Sequence, residues 1–137
     1  MQYLLLGYYA PAAFDALTDE EREALGERCR PHDEKFTGTG KVLDVASLQH
    51  ALGAHIRPGP DAPTITDGPF AEAREVVGSY FLIEADSLEH ATQIASLHPA
   101  AQIGWELGFS IEVRPVETVW VKNGEYAGAG QGSGDDA

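Results

Sequence analysis

The feature that most constrains the fold is a turn near the middle of the chain, within the segment TITDGPFAE at residues 64–72. Asp67-Gly68 is a strong turn dipeptide, and Gly68-Pro69 sets a conformationally permissive residue before a ring that fixes φ. The apolar and β-branched run before the turn must therefore end there. Phe70 is then expected to enter the core at a defined angle, and the turn joins the two halves of a single globular unit.

Asp67 has two interpretations. In the first, its side chain accepts a local backbone hydrogen bond and shapes the turn. In the second, the carboxylate is fixed on a rigid turn and faces a neighbouring pocket. The short range of the turn contacts favours the first interpretation, and the second makes Asp67 a candidate catalytic residue.

The flanking segments alternate between strand and helix patterns. We predict strands at residues 2–9, 41–48, 77–85 and 109–120, while residues 52–66 form one strand interrupted at 59–61 or two short strands. A first helix over about 19–36 begins with a capping box of Thr18 and Glu21, and Pro31 either kinks or breaks it. A second helix begins with Asp86 as N-cap and ends by His98, because Pro99 disfavours a helical residue before it.

Four separated motifs carry a resemblance to a known family. They are YLLL at 3–6, TDGPFAE at 66–72, GSYFLIE at 78–84 and IEVRPV at 111–116. In this order they resemble the DGPF subgroup of the YCII-related proteins over roughly Met1 to Val119. The resemblance implies a ferredoxin-like α+β domain that pairs its sheet with a second copy in a dimeric α/β barrel, and it implies no defined reaction.

The composition changes after Val121, where Gly, Ala, Ser and Asp dominate and little apolar surface is left to repay the entropy of ordering. We therefore predict a YCII-related domain at 1–121 and a flexible, Gly-rich acidic tail at 122–137. The domain is long enough to bury a core of its own.

Charge and missing motifs exclude several classes of function. The net charge of −13 is spread along the chain without a basic patch, which opposes binding to nucleic acid and to anionic membranes. No apolar run approaches the roughly 20 residues that span a bilayer, and the start lacks the basic region of a signal peptide. We expect a soluble cytoplasmic protein. Phosphate-binding glycine motifs and metal-ligand spacings are missing from the sequence, so we expect no cofactor and no metal.

Cys29 is the single cysteine, so it cannot form a disulfide within the chain. A catalytic role for its thiol would need a basic neighbour that lowers its pKa, and Arg28, Arg30 and His32 are the nearby candidates.

The strands predict a polar set on one face of the sheet. Phe81, Ile83, Ile111 and Val113 are expected to face the helices, and the opposite positions are Tyr80, Leu82, Glu84, Glu112 and Arg114. In a barrel of two sheets, Arg114 should meet a carboxylate. The set is either a dimer interface with satisfied ion pairs or the lining of a pocket. In the pocket interpretation Tyr80, Glu84 and Arg114 bind the ligand, with Arg114 holding an anionic group.

His98 is the candidate for acid/base chemistry, because histidine titrates near neutrality and this position falls on the apolar face of the second helix. The resemblance implies an Asp-Pro at the end of that helix and a histidine in the first helix, suspected to act as a pair. Here His98-Pro99 stands at the Asp-Pro position, and His32 matches the helix histidine only loosely. A histidine that caps the C-terminal end of this helix or fills the core is the alternative.

Two functions follow. The first is a dimeric small-molecule-binding protein, with general acid/base chemistry by His98 and Asp67 in a polar pocket. The second is a non-catalytic accessory or regulatory protein that acts through protein contact. The resemblance implies the second function because genes of this subgroup resemble those found beside certain extracytoplasmic-function sigma factors.

Overall fold

The computed structural model describes residues 1–49, 52–68 and 74–126. Its elements follow in chain order: β1 (Gln2–Tyr9), α1 (Pro11–Asp15), α2 (Asp19–Thr37), β2 (Val42–Ser47), β3 (Ala54–Arg57), β4 (Thr64–Asp67), β5 (Val76–Glu84), α3 (Leu88–Ala95), α4 (Pro99–Gln102), a 3-10 turn (Trp105–Leu107), β6 (Ser110–Pro115), β7 (Val121–Lys122) and β8 (Glu125–Tyr126).

The main sheet has four antiparallel strands in the order β2-β5-β1-β6. β1 lies inside the sheet, where Leu5 is opposite Phe81 on one side and Val113 on the other. Within the described residues the strands do not close into a barrel. This mixed α+β arrangement agrees with the predicted ferredoxin-like fold.

The core lies between one face of the main sheet and the helices. Phe81 and Ile83 are buried there, and Ile111 and Val113 pack against them, so the predicted helix-facing set is confirmed. Tyr80 lies on the other face and is 38% exposed. The buried cluster consists of Tyr3, Leu5, Phe36, Phe81, Ile83, Ala85, Ala91, Ile94 and Ala95.

α2 begins with the predicted capping box. The Thr18 hydroxyl accepts from the Glu21 amide at 3.1 Å, and the Glu21 carboxylate accepts from the Thr18 amide at 2.9 Å. The helix then continues through Pro31 to Thr37, which excludes a break into two helices.

The region of the second predicted helix differs from its prediction in two ways. The N-cap is Ser87 and not Asp86, because the Ser87 hydroxyl accepts from the His90 amide at 3.1 Å. α3 also ends at Ala95, before the expected end. His98 has extended backbone angles (φ −69°, ψ 147°), as a residue before proline prefers, and it opens α4 as the N-cap.

The last strand of the main sheet ends at Pro115, five residues before its predicted end at Trp120. The Val116 amide still donates to the Gln2 carbonyl at 3.0 Å. Gln2 is the first residue of β1, so the pairing strand has ended there.

The segment before the central turn forms two short strands, as one of the alternatives predicted. β3 and β4 pair antiparallel with Ile56 opposite Ile65. Gly68 has φ +75°, a conformation that glycine adopts without strain, and its amide donates to the Gly53 carbonyl at 2.8 Å. The predicted entry of Phe70 into the core lies outside the described residues.

The described part of the predicted tail has local structure. β7 and β8 form a small hairpin across Asn123 and Gly124, both with positive φ, and Tyr126 stacks on Trp120 with ring centroids 6.4 Å apart. Residues 127–137 lie outside the described part of the chain. Among the described residues no helix is long and apolar enough to cross a membrane.

Candidate functional site

A cavity of about 470 Å³ lies between α2 and the helix-facing side of the main sheet. This volume is within the range of about 300–1,000 Å³ that is typical of small-molecule sites. β1, β2 and β5 form its floor, and α1, α2 and the residues around His98 form its walls.

Two glycines keep the floor of the cavity open. A Cβ atom at Gly7 would lie 2.5 Å from the Ser79 hydroxyl oxygen, and one at Gly78 would lie 2.6 Å from the Tyr9 ring. The register of β1 and β5 also shifts at this point, because Gly7 pairs with Ser79 and the next residue pairs with Val77. The close approach of these chains therefore requires residues without side chains.

Two serine hydroxyls lie on the floor. Ser47 of β2 and Ser79 of β5 are directly opposite in the antiparallel register, so their side chains are on the same face. Both line the cavity, and neither hydroxyl forms a hydrogen bond within the described residues. They are available to donate to, or accept from, a bound molecule.

Cys29 and Asp33 are the polar residues that α2 contributes to the cavity. They are four residues apart on one helix face, and both line the cavity. Burial raises the pKa of the Cys29 thiol, and the Asp33 carboxylate raises it further, against a smaller lowering by Arg28. The thiol therefore stays protonated at neutral pH, which disfavours a nucleophilic role. Burial also raises the pKa of Asp33, against a smaller lowering by His32.

His98 is held in a fixed orientation at the wall. Its ring packs against Phe36 at 5.0 Å and Phe81 at 4.4 Å between centroids, and its Nδ1 atom accepts from the Ala100 amide at 2.9 Å. Burial lowers the pKa of His98 to about 4, so the imidazole is neutral at pH 7. A neutral imidazole whose Nδ1 accepts a hydrogen bond carries its proton on Nε2.

This geometry constrains the acid/base role predicted for His98. The Nδ1 lone pair is occupied by a backbone amide, and Nε2 already carries the proton. The residue can therefore donate a hydrogen bond from Nε2, but it has no free lone pair with which to act as a general base. His98 lines the cavity and caps the start of α4, whereas the predicted cap was at the end of the second helix, where Ser96 is the C-cap of α3.

The structure places the other predicted site residues elsewhere. Tyr80, Glu84 and Arg114 lie on the open face of the main sheet, on the opposite side from His98, and Asp67 is exposed at the end of β4. Within one chain these residues do not form a single pocket with His98. Their roles in ligand binding and catalysis stay predictions.

Three charged residues of the open face have partners within the chain. The Arg114 guanidinium lies 3.9 Å from the Glu112 carboxylate, which also accepts from the Tyr8 hydroxyl at 2.8 Å. This hydrogen bond, together with burial, raises the pKa of Tyr8. Glu84 forms an ion pair with the amino terminus at Met1. Within one chain Arg114 is thus near a carboxylate of its own strand, and its pairing inside a barrel of two sheets stays a prediction.

Sequence reasoning missed Asp33, Ser47 and Ser79 as residues of a site. The spacing of Cys29 and Asp33 on one helix face was available as a signal, but the pairing of the serines depends on strand register. Among the described residues, no group of three or more His, Cys, Asp or Glu side chains is placed to hold a metal ion.

Comparison with known proteins identifies a family model and a relative that match this chain. A family model described as the YCII-related domain matches residues 1–117. An uncharacterised protein of Rhizobium meliloti (strain 1021) is 30% identical over 96 residues, which cover 69% of this chain and 77% of that protein.

Proposed function

This chain belongs to the YCII-related domain family, and from its cavity we propose that it is a dimeric protein that binds a small molecule between α2 and the main sheet. One observation carries the proposal: polar groups without hydrogen-bond partners in the described residues line an otherwise apolar cavity. They are the hydroxyls of Ser47 and Ser79, the carboxylate of Asp33 and the Nε2 atom of His98. Such polar groups in an apolar cavity are typical of binding sites.

The proposal extends to acid/base chemistry, with Asp33 as the proton acceptor. A carboxylate whose pKa is raised by burial holds a proton better near neutral pH than an exposed one. His98 then supplies a hydrogen bond to the ligand. This assignment moves the proton-transfer role from His98 to Asp33.

The first test is a thermal-shift screen of metabolites on wild-type protein and two glycine variants. A ligand stabilises the protein by RT ln(1 + [L]/Kd), about 2.7 kcal/mol at one hundred times Kd. Gly7→Ala projects a methyl group against Ser79, so we expect it to abolish the stabilisation by any ligand of this cavity. Gly26→Ala is the control, because its Cβ meets no atom within 4 Å.

Cys29 reports independently on the position of that ligand. It is the single cysteine and it lines the cavity. At about ten times Kd, a bound ligand should slow the alkylation of Cys29 by N-ethylmaleimide about tenfold. A ligand that stabilises Gly7→Ala as much as the wild type, and leaves the rate of Cys29 alkylation unchanged, binds outside the cavity. That result contradicts the proposal.

The dimer is supported by the open face of the sheet. Leu4, Leu6 and Leu82 lie there with part of their surface exposed, beside Tyr80. A second copy that packs its sheet on this face would bury those side chains. Pairing of this kind is also what the family resemblance implies.

We predict a dimeric mass for the wild-type protein in size-exclusion chromatography with light scattering. Leu82→Arg places a charge at the centre of the open face and should yield a monomer. Leu88→Arg is the matched control on α3, where the side chain is already 52% exposed, and it should leave the dimer intact. A monomeric wild type at micromolar concentration, or a dimeric Leu82→Arg variant, would remove this part of the proposal.

The accessory function is the second candidate, and the β3–β4 hairpin favours it. Ile56 and Ile65 face each other across this hairpin and are 63% and 65% exposed. Exposed apolar pairs of this kind are suited to protein contact. Association with a sigma factor and a cytoplasmic location are predictions from the sequence that this function would require.

A further inference from the structure

The cavity offers no positive charge to a ligand. Among the described residues that line it, Asp33 is the acidic side chain and none is lysine or arginine. The arginines nearby on α2 are directed to other partners, since Arg28 lies 3.9 Å from Glu106 and Arg30 lies 2.6 Å from Glu27. An anionic ligand would lose water without gaining a counter-charge, and this loss is costly.

The apolar walls are suited to a ring. Four aromatic side chains line the cavity, from β1, α1, β5 and the residue before β6: Tyr9, Phe14, Phe81 and Phe109. Aromatic side chains pack well against rings in stacked or edge arrangements. The glycines of the floor allow a ring to approach the backbone closely.

His98 supplies one hydrogen-bond donor of fixed direction. Its ring is held by Phe36, Phe81 and the Ala100 amide, and Nε2 has no hydrogen-bond partner in the part of the chain that the structure describes. A ligand without an acceptor atom at this point would leave a desolvated donor unpaired. Sites of this kind discriminate strongly against such ligands.

From these observations we propose that the cavity selects an uncharged, ring-containing molecule with a carbonyl oxygen, and that this oxygen accepts a hydrogen bond from Nε2 of His98. The inference rests on the proposed function, because it requires a ligand in this cavity. It differs from the sequence prediction, in which Arg114 holds an anionic ligand. His98 is thus a binding residue that selects the ligand by donating a hydrogen bond from Nε2.

Three probes of similar shape separate the chemical classes. Benzamide is uncharged and has a carbonyl oxygen, benzoate is an anion, and benzamidine is a cation without a carbonyl oxygen. In NMR titrations of the full chain, observed at the His98 ring, we expect benzamide to bind at least about tenfold more tightly than the other two. Equal or tighter binding of benzoate or benzamidine overturns the proposal.

The same titrations distinguish the two levels of inference. If the probes shift the cavity signals without the expected order of affinity, small-molecule binding stands and the carbonyl selectivity is wrong. If none of the three probes shifts signals of the cavity, both proposals fail for ring compounds of this size.

Two substitutions separate the donor role of His98 from its capping role. His98→Asn keeps an acceptor that can cap α4 but is too short to replace Nε2. His98→Gln places an amide nitrogen near the position of Nε2. We expect His98→Asn to weaken benzamide binding at least about tenfold and His98→Gln to retain affinity within about threefold. A merely structural role predicts the reverse, with binding that follows the cap.

The tautomer of the wild-type ring provides a test that needs no variant. Long-range ¹⁵N–¹H correlation spectra at neutral pH should show a protonated Nε2 and an unprotonated Nδ1 for His98. A proton on Nδ1 would overturn the proposal, whatever the variants do.

Discussion

Truncation of Phe36 to alanine is expected to lower the free energy of unfolding by about 3–5 kcal/mol. Phe36 is 2% exposed and packs edge-on against Phe81, with ring centroids 5.4 Å apart and planes at 76°. α2 has only one other buried residue, Leu25. Phe36 is therefore the main apolar contact between this helix and the sheet, and its loss leaves a cavity beside His98.

Chemical denaturation of the wild type and the variant measures this effect. Trp105→Ala is the control, because it removes an even larger aromatic side chain that is 85% exposed, and it should change the free energy of unfolding by at most about 0.5 kcal/mol. A loss below about 1 kcal/mol for Phe36→Ala would show that α2 is anchored in another way. Phe36→Ala should also weaken the binding of any ligand in the cavity, because the His98 ring loses one of the two aromatic rings that hold it.

The second large effect is a loss of stability at acidic pH that originates from His98. The ordinary pKa of histidine is 6.5, and burial lowers that of His98 to about 4. Between these values the unfolded chain binds a proton at this residue and the folded chain does not, so the free energy of unfolding falls as the pH falls. The full shift corresponds to about 3 kcal/mol. We expect about 2 kcal/mol, because the ring keeps part of its surface in water.

Comparison with His98→Asn isolates this contribution, since asparagine does not titrate. The free energy of unfolding of the wild type, relative to the variant, should fall by about 2 kcal/mol between pH 7 and pH 4. The other titratable residues that line the cavity are Tyr8, Tyr9, Cys29 and Asp33, and all four are present in both proteins. The raised pKa of Asp33 acts in the opposite direction, because its folded form gains a proton first as the pH falls. Parallel pH profiles would contradict a buried, neutral His98.

The stability effect and the binding effect of His98 have different origins. The pH effect depends on the burial of the ring, whereas ligand binding depends on the Nε2 proton. His98→Gln should therefore lose the pH dependence and retain benzamide affinity. If His98→Gln loses both the pH dependence and the benzamide affinity, the glutamine amide does not reproduce the position of Nε2. The tautomer of the wild-type ring then decides whether His98 donates to the ligand.

The sequence by itself determined the features that depend on residues close together in the chain. The capping box of Thr18 and Glu21 forms because its partners are three residues apart, and Gly68 adopts a positive φ where the turn requires it. The alternation of β5 fixed which side chains face the helices, because successive residues of a strand point to opposite faces. Four motifs in order were enough to indicate the family.

The tertiary structure alone decided the cavity and the role of His98. The serine pair depends on the register of β2 and β5, and the end of β6 depends on where β1 begins. The sequence placed His98 on an apolar face, but its tautomer follows from the Ala100 amide and its pKa from the packing of Phe36 and Phe81. These contacts join segments that are distant in the chain, and local patterns carry no information on how such segments meet.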